Sequence, residues 1–356
     1  MNRAATVALA PLSSIYGVAM KARHALYERG LLRVHEVGAP VISVGNITVG
    51  GTGKTPLVQW IARELARNKR RVCILTRGYG RQSSGNQVVV SNGSEILSDV
   101  ERAGDEAFLL AESLQDRAAV ICEADRISTA RWAIDNLKSD VFILDDGFQN
   151  LRIARSLNIV TIDATNPWGN RRLLPAGILR EPLAELARAD CVIITRADDP
   201  SRAEELQREI ERLSKGRRVF RSRMRILRLR PLRAKSDDDT TLDGGEEVRS
   251  SSVAAFCGIG NPKSFFAQLH RDGYKLCHTQ TFRDHHVYTQ TDIDRVVRDS
   301  ISHGAQILLT TAKDEVKLRS LRLDLPCYAA DIAIEIDEKE KLKALIEEAI
   351  QKTSGR

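Results

Sequence analysis

A glycine-rich segment that follows an apolar run is the sequence feature that most constrains how this chain can fold. Residues 41–44 are apolar except for Ser43, and soon after them come Gly50, Gly51, Thr52, Gly53, Lys54, Thr55 and Pro56. Glycines let a backbone curl so that successive N–H groups point at phosphate oxygens. A lysine and a hydroxyl residue at the end of such a loop reach the β- and γ-phosphates and Mg²⁺. The segment therefore predicts a nucleotide phosphate loop between a strand and a helix.

The loop departs from the general pattern GxxxxGK[ST], because Thr48 stands where the first glycine is expected. A variant of this pattern in dimeric ATPases begins with a lysine. Val49 replaces that lysine here, which argues against a partition-type or metal-chaperone dimer. A glycine-rich turn without phosphate function is the alternative. The helical spacing of Leu57, Ile61 and Leu65 favours a phosphate loop, since a helix N-terminus attracts anions.

Short apolar runs alternate with helical patterns along the first part of the chain. Buried strands are predicted at 41–44, 72–75, 118–122, 141–144, 159–162 and 191–195, and helices near 105–115, 124–137 and 202–214. Apolar strands separated by helices indicate a parallel sheet that is covered on both faces. The predicted fold class is therefore α/β, with a P-loop NTPase-like parallel sheet sandwiched by helices.

The pattern then changes, which predicts a second, smaller α/β domain joined by a β connector. Residues 219–229 alternate arginines with apolar residues, as in an exposed antiparallel strand or connector, and residues 235–252 are polar and acidic, as in a hinge loop. Beyond them we predict strands at 253–258 and 307–311 and helices at 264–271, 290–303 and 338–351. The expected segments are an N-terminal membrane-associated helix at 1–35, a phosphate-loop domain at 36–217, the connector and hinge at 218–252, and the second domain at 253–356.

Composition narrows the class of protein further. The 356 residues are 42% hydrophobic and 28% charged, which excludes a disordered or collagen-like chain. The net charge of +7 favours an anionic partner such as a nucleotide or an anionic lipid surface. Only 5% of the residues are aromatic, and no basic run has aromatic neighbours, which argues against nucleic acid. The six cysteines form no CxxC pair, which predicts reduced thiols in the cytosol.

The N-terminal segment has an amphipathic helical pattern. Residues 4–20 carry no charge, and Lys21 and Arg23 follow them. Proline, serine and glycine interrupt the segment, so it is too short for a spanning helix, which needs about 20 mostly apolar residues. A signal peptide would need a small-residue cleavage site, and the chain instead continues into the basic part of the helix. The pattern fits either an anchor on anionic lipid or a helix packed on its own domain.

Acidic residues and histidines supply candidate chemistry beyond the loop. Asp145 and Asp146 follow the strand at 141–144, where carboxylates bind Mg²⁺ or cap a helix. Asp105 and Glu106 open a helix, which the helix dipole alone would explain. His285 and its neighbour His286 point in different directions, so they do not predict a two-histidine metal site. One of them is either a surface residue or the partner of a carboxylate that accepts a hydroxyl proton.

These segments and several others occur in an order and spacing that resemble the tetraacyldisaccharide 4′-kinase family over nearly the whole chain. The matching stretches are Pro11-Leu12-Ser13, residues 44–56, Thr76-Arg77-Gly78-Tyr79-Gly80, Gly104-Asp105-Glu106, Leu144-Asp145-Asp146-Gly147-Phe148-Gln149, Leu173-Leu174-Pro175-Ala176-Gly177, Leu179-Arg180-Glu181-Pro182, Asp284-His285 and Lys313-Asp314. Thr48 and Val49, which depart from the general phosphate-loop pattern, are usual in this family.

The resemblance implies transfer of the ATP γ-phosphate to the 4′-hydroxyl of an acylated glucosamine disaccharide 1-phosphate in lipid A biosynthesis. It also implies a peripheral location on the cytoplasmic face of the bacterial inner membrane, and two domains that close on the nucleotide. The implied catalytic residues are Asp105, His285 and Lys54; the implied magnesium ligands are Thr55, Glu106, Asp145 and Asp146; and the implied substrate-binding residues are Arg77, Arg126, Gln149, Arg180 and Glu181. Asn150 departs from the family, which commonly has histidine there, so we assign it no catalytic task.

Two other functions compete with the kinase hypothesis. The first is a different nucleotide-dependent enzyme or a metal-insertion GTPase. Two segments, Thr195-Arg196-Ala197-Asp198 and Thr311-Ala312-Lys313-Asp314, loosely match the element by which GTPases recognise guanine. Neither segment fits it fully, so ATP is the predicted nucleotide. A non-catalytic, membrane-bound nucleotide switch would not need Asp105 and His285.

Overall fold

The computed structural model describes residues 8–78, 87–232 and 245–354, which form one continuous sheet of twelve strands flanked by helices. The strands are β1 (Val41–Gly45), β2 (Val72–Thr76), β3 (Val88–Ser91), β4 (Ala118–Cys122), β5 (Val141–Asp145), β6 (Leu157–Asp163), β7 (Cys191–Thr195), β8 (Arg218–Pro231), β9 (Ser252–Cys257), β10 (Lys275–Thr281), β11 (Ile307–Thr311) and β12 (Cys327–Ile336). Their order across the sheet is β10-β9-β11-β12-β8-β7-β6-β1-β5-β2-β4-β3.

Helices pack on both faces of the sheet. Ile42 of β1 packs in one buried cluster with α2, whereas the adjacent Val41 packs in another cluster with α5. This arrangement confirms the predicted α/β class. The helices are α1 (Ala10–Glu28), α2 (Lys54–Arg67), α3 (Val100–Ala103), α4 (Asp105–Ser113), α5 (Arg126–Leu137), α6 (Pro200–Leu213), α7 (Gly245–Ser250), α8 (Pro262–Arg271), α9 (Gln290–Ser302), α10 (Ala312–Leu318) and α11 (Lys339–Ser354), together with a 3₁₀ helix at Leu183–Arg188.

Strands β1, β2 and β4 to β7 run parallel, so their carboxyl ends meet at one edge of the sheet. Strand β5 lies directly beside β1, with Asp145 paired with Val44. On the other side of β1 come β6 and then β7. The segments that follow β1, β5, β6 and β7 therefore converge, and these segments carry the phosphate loop and the acid pair.

The long strand β8 lies between two parts of the sheet. Strands β1 to β7 form the part that we call the phosphate-loop half, and strands β9 to β12 form the second half. It runs parallel to β7 at its start and antiparallel to β12 over the rest of its length. The sequence predicted an exposed strand, but Phe220, Ser222 and Met224 are buried. The arginines in the later part of β8 account for the prediction of an exposed strand. Arg228 and Arg230 pair with Asp331 on the neighbouring strand β12, and their side chains are partly in solvent.

Several helices and strands lie where the sequence predicted a loop or no regular secondary structure. Residues 245–250 form helix α7 instead of a hinge loop, and Val248 anchors this helix in the core. Residues 235–244 of that predicted loop lie outside the described residues, as do Tyr79 and Gly80. Strands β3, β10 and β12 and helix α10 were also missed. Strand β10, for example, is polar and half exposed at the edge of the sheet, so it lacks the apolar run that marks a buried strand.

Helix α1 packs against the phosphate-loop half, and its contacts are made by small and polar side chains. Its buried residues are Ser13, Gly17 and His24. The hydroxyls of Ser13 and Tyr16 donate to backbone carbonyls of residues 173 and 180 at 2.9 Å and 2.7 Å. None of the helices in the described part of the chain is long and apolar enough to cross a membrane. The apolar residues of α1 face outward: Leu12, Ile15 and Val18 are 53%, 66% and 67% exposed.

Candidate active site at the phosphate loop

The phosphate loop leaves the carboxyl end of β1 and leads directly into helix α2. Gly50 and Gly53 have φ angles of +107° and +80°, where side chains are disfavoured, and Lys54 is the first residue of the helix. The positive end of α2 therefore opens onto the loop. Residues 48–56 line a cavity of about 1510 Å³ together with residues of the second half of the molecule.

The acid pair predicted from the sequence lies beside this loop. Lys54 Nζ is 3.6 Å from Asp146 Oδ1, and Arg180 donates to both carboxylate oxygens of Asp146 at 2.8 Å and 2.9 Å. Burial would raise the pKa of Asp146, but Lys54 and Arg180 outweigh it and lower this pKa. Burial raises the pKa of Asp145 to about 6, and the charges of Glu106 and Asp146 add to this shift.

The buried carboxyl of Asp145 lines the same cavity as the carboxyls of Asp146 and Glu106, and such a set of carboxylates suits a cation. Thr55 lies in the first turn of α2 and lines the same cavity. In the described part of the chain, the only three His, Cys, Asp or Glu ligand atoms within 4.8 Å of one another belong to His24, Glu181 and Glu185. The predicted magnesium ligands therefore form an open set. Such a set fits Mg²⁺, which usually takes one or two carboxylates together with phosphate oxygens and water.

Asp105 and His285 come together from the two halves of the molecule. Asp105 is the first residue of α4, and His285 follows β10 with a φ of +60°. His285 Nδ1 lies 3.0 Å and 3.1 Å from the two carboxylate oxygens of Asp105. This hydrogen bond raises the pKa of His285, against the opposing effects of burial and Lys313. Burial alone would raise the pKa of Asp105, but His285 and nearby lysines lower it.

A lysine that the sequence analysis gave no role lies at the centre of this group. Lys313 Nζ is 3.1 Å from His285 Nε2, 3.0 Å from Glu106 Oε1 and 3.2 Å from Asp284 Oδ1. Burial would lower the pKa of Lys313, but the surrounding carboxylates raise it. One turn later, Lys317 Nζ lies 3.6 Å from Asp105 Oδ2. The sequence signal was two lysines four residues apart directly after a predicted strand, a spacing that places both on one face of a helix.

A second cavity, of about 350 Å³, lies beside the acid pair and brings together most of the predicted substrate-binding residues. Arg126 is buried there; it donates to the Asp145 carbonyl at 2.6 Å, and burial lowers its pKa to about 10. Gln149 donates through Nε2 to the carbonyl of Asn46 at 2.9 Å, and Asn150 lines the same cavity. The remaining charged lining residues are Arg23, Arg77, Asp125, Asp146, Arg152 and Arg180.

Glu181 is placed differently from the other predicted substrate-binding residues. It is fully buried beneath helix α1, where it pairs with Arg188 and lies 3.5 Å from His24 Nε2. His24 Nδ1 lies 2.8 Å from a carboxylate oxygen of Glu185. Hydrogen bonds to the two glutamates raise the pKa of His24 to about 9. Glu181 thus ties α1 to the segment that carries Arg180.

A phosphate loop, an acid pair on the neighbouring strand and a carboxylate–imidazole pair at the same cavity define a P-loop kinase. A family model described as tetraacyldisaccharide-1-P 4′-kinase matches residues 5–351 of the chain. Tetraacyldisaccharide 4′-kinases from Desulfotalea psychrophila and Geobacter metallireducens are 39% and 38% identical to it, over 90% and 98% of this chain and 90% and 100% of their own lengths. The chain belongs to the tetraacyldisaccharide 4′-kinase family.

A solved structure is similar over the same extent. The crystal structure of LpxK from Aquifex aeolicus in complex with ATP superposes on this chain with a TM-score of 0.75 and 32% sequence identity. The match covers 97% of this chain and 99% of the other. The similarity therefore includes both halves of the sheet.

Proposed function

We propose that this protein transfers the γ-phosphate of ATP to the 4′-hydroxyl of a tetraacylated glucosamine disaccharide 1-phosphate, a step of lipid A biosynthesis. The observation that carries the proposal is the contact between Asp105 and His285. This pair comes from opposite halves of the molecule and meets beside the cavity that the phosphate loop lines. A nucleotide switch would have no use for such a pair, whereas a kinase acting on a sugar hydroxyl needs one.

In this proposal the loop and the acid pair hold the nucleotide. Backbone N–H groups of residues 50–54 surround the phosphates, and Lys54 neutralises charge on the β- and γ-phosphates. Thr55, Glu106, Asp145 and Asp146 line the same cavity and would hold Mg²⁺, which neutralises phosphate charge when bound. Glu106 also pairs with Lys313, which belongs to the second half of the molecule, so Glu106 connects the nucleotide site to that half.

The pair of Asp105 and His285 then receives the acceptor's proton. The 4′-oxygen forms a bond to the γ-phosphorus while the bond to the ADP oxygen breaks, and the hydroxyl proton passes to the pair. A carboxylate next to Nδ1 favours the tautomer that has its proton on Nδ1, which leaves the Nε2 lone pair as an acceptor. The observed contact between Lys313 Nζ and Nε2 is compatible with that tautomer.

The arginine-lined cavity suits the anionic end of the acceptor. Arg77, Arg126 and Arg180 lie there with Gln149, and a cluster of guanidinium groups binds a phosphate through paired hydrogen bonds. The buried Glu181 would act through position, by holding α1 and the segment of Arg180 in place. Arg23 of α1 also lines this cavity, so the membrane-proximal helix would contribute directly to acceptor binding.

We further propose that α1 places the enzyme on the cytoplasmic face of the inner membrane as a peripheral protein. Its exposed Leu12, Ile15 and Val18 form an apolar surface, while polar and small residues face the protein. That orientation is the reverse of a helix that packs into a soluble core. Because the acyl chains hold the acceptor in the bilayer, an enzyme at the interface meets it there.

Incubation with γ-labelled ATP and the lipid disaccharide 1-phosphate tests the proposal. Labelled 4′-phosphate should form with the wild type, whereas Lys54→Ala and Asp146→Ala should nearly abolish turnover and retain a cooperative melting transition, because both side chains act at the phosphates. Wild-type rates in either variant would remove the phosphate-loop assignment. Nucleotide hydrolysis without any transfer to the lipid would instead favour the switch or another NTPase.

A further inference from the structure

The end of strand β7 contacts the backbone of the phosphate loop through two consecutive side chains. Thr195 Oγ1 donates to the carbonyl of Thr52 at 2.9 Å, and Arg196 donates to the carbonyl of Gly51 at 2.9 Å. Thr195 is fully buried. These two residues begin the segment that loosely matches a guanine-recognition element, yet in this fold they bind the loop that holds phosphates.

These contacts fix the direction of two peptide units. In a planar trans peptide, the C=O of one residue and the N–H of the next point in opposite directions. A Gly51 carbonyl directed at Arg196 therefore turns the Thr52 N–H the other way. A Thr52 carbonyl directed at Thr195 does the same for the N–H of Gly53. Since N–H groups of this loop type bind phosphate oxygens, two of the required donors are oriented before any nucleotide arrives.

Arg196 is itself held by a network that reaches the second half of the molecule. Its guanidinium donates to Asp163 Oδ2 at 2.6 Å, and its φ of +54° is uncommon for a residue other than glycine. Asn261, which precedes helix α8, donates through Nδ2 to the same Asp163 oxygen at 2.8 Å. A Cβ on the adjacent Gly260 would lie 2.9 Å from the backbone nitrogen of Gly51, so the two loops are in direct contact.

We propose that Thr195 and Arg196 are positioning residues that orient the Thr52 and Gly53 N–H groups toward the nucleotide phosphates, and that Asn261 couples this arrangement to the second half of the molecule through Asp163. The inference rests on the proposed function, because it assumes that the loop binds nucleotide phosphates. It assigns a task to Arg196 other than base recognition. It also explains why an arginine adopts a backbone conformation that favours glycine.

Titration calorimetry of the full-length protein with Mg²⁺ and the analogue AMPPNP tests the inference without the lipid acceptor. Thr195→Val removes the hydroxyl at nearly constant volume, and Arg196→Met removes the guanidinium. Each should weaken AMPPNP binding about five- to tenfold, the effect of losing one hydrogen bond. Thr195→Ser and Arg196→Lys keep a donor and should recover most of the affinity. In kinase assays the KM for ATP should rise while the KM for the lipid stays unchanged.

Asn261→Asp separates the coupling from a purely structural effect. Aspartate keeps the side-chain oxygen that accepts from the Ser264 N–H at the start of α8, but it replaces the donor to Asp163 with a negative charge. It should weaken AMPPNP binding in the wild type and have little further effect in Arg196→Met, because the pathway runs through Arg196.

Arg202→Met is the matched control, since Arg202 is exposed and donates to the carbonyl of Thr165 instead of the loop. It should bind AMPPNP as the wild type does. Unchanged affinity in both Thr195→Val and Arg196→Met would overturn the inference while leaving the proposed function intact. Failure of the wild type to bind AMPPNP would overturn both.

Discussion

Asp105 and His285 are 180 positions apart in the chain, and their contact is the main finding at the scale of single residues. The sequence identified each as a candidate, but each had an ordinary alternative, a helix-dipole residue or a surface histidine. No periodicity relates two residues that belong to different halves of a sheet. Only the family resemblance paired them, and the contact of Lys313 with His285 Nε2 became visible only in the fold.

Loss of either residue of this pair should slow transfer strongly. A positioned general base contributes roughly 10²–10⁴-fold, so we expect Asp105→Asn and His285→Ala each to lose about that much in kcat while Mg-ATP affinity changes only a few-fold. If the two side chains act as one unit, the double variant should be little slower than either single variant. Steady-state kinetics and a double-mutant cycle measure this. Near-wild-type activity of Asp105→Asn would show that Asp105 is only a helix-terminal residue, since Asn caps about as well.

The pH profile follows from the direction of the His285 shift. Asp105 raises the pKa of His285 above 6.5, and the base must be unprotonated to accept a proton. We therefore expect kcat to fall as the pH decreases, with the fall beginning above pH 6.5. In Asp105→Asn the raising effect is lost, so the acid limb of the residual activity should move to lower pH. An acid limb at the same pH in both proteins would contradict this account.

At the scale of whole elements, the strands were predicted best, because buried parallel strands are continuous apolar runs. Strands β1, β4 and β7 begin at the residues where the sequence placed them. Strand β12 was not predicted because its outward residues include Asp331 and Glu335, whose partners are arginines of the neighbouring strand β8. The buried face of α1 was not predicted from the sequence for a related reason. It depends on polar partners from distant segments, and hydrophobic periodicity does not report them.

Helix α1 should be attached to the protein in a pH-dependent way. The pKa of His24 is raised from 6.5 to about 9 by Glu181 and Glu185. The stabilisation is therefore complete below pH 6.5 and is lost as the pH rises through 9. We expect His24→Gln to lower Tm at pH 6, with the difference from wild type shrinking toward pH 10. Lys21→Gln, on the exposed side of the same helix, is the control. A Tm difference that does not vary with pH would contradict the assignment.

The outward face of α1 should carry the membrane affinity. Ile15→Glu places a charge on an apolar residue that is 66% exposed, so it should leave the fold intact and reduce flotation with anionic liposomes. Ile301→Glu makes the same change on α9, where Ile301 is 55% exposed, and should float as the wild type does. Equal flotation of all three proteins would mean that membrane binding lies elsewhere.

For the whole molecule, the predicted α/β class with a mostly parallel sheet is confirmed, and strand β8 continues that sheet through both halves. The segment limits at 36–217, 218–252 and 253–356 stay predictions. Helices α4 and α10 supply charged contacts between the halves, where Lys313 meets Glu106 and Lys317 meets Asp105. Sequence could not show this, because the pairing depends on how the second half sits against the first.

The Arg319–Glu112 pair allows the closure of the halves to be tested apart from the catalytic residues. Arg319 donates two hydrogen bonds to Glu112 at 2.6 Å and 2.7 Å, and both side chains are partly exposed. Partly exposed ion pairs are worth up to about 1 kcal/mol. Arg319→Glu places a third negative charge beside Glu112 and Glu315, so we expect kcat to fall several-fold and the fall to be larger at low salt, because screening weakens repulsion. The exchange variant Arg319→Glu with Glu112→Arg restores opposite charges and should recover most of the activity, measured by the same lipid kinase assay at two ionic strengths. Activity that stays low in the exchange variant, or a loss that does not depend on salt, would show that Arg319 acts on its own half through Glu315 and not on closure.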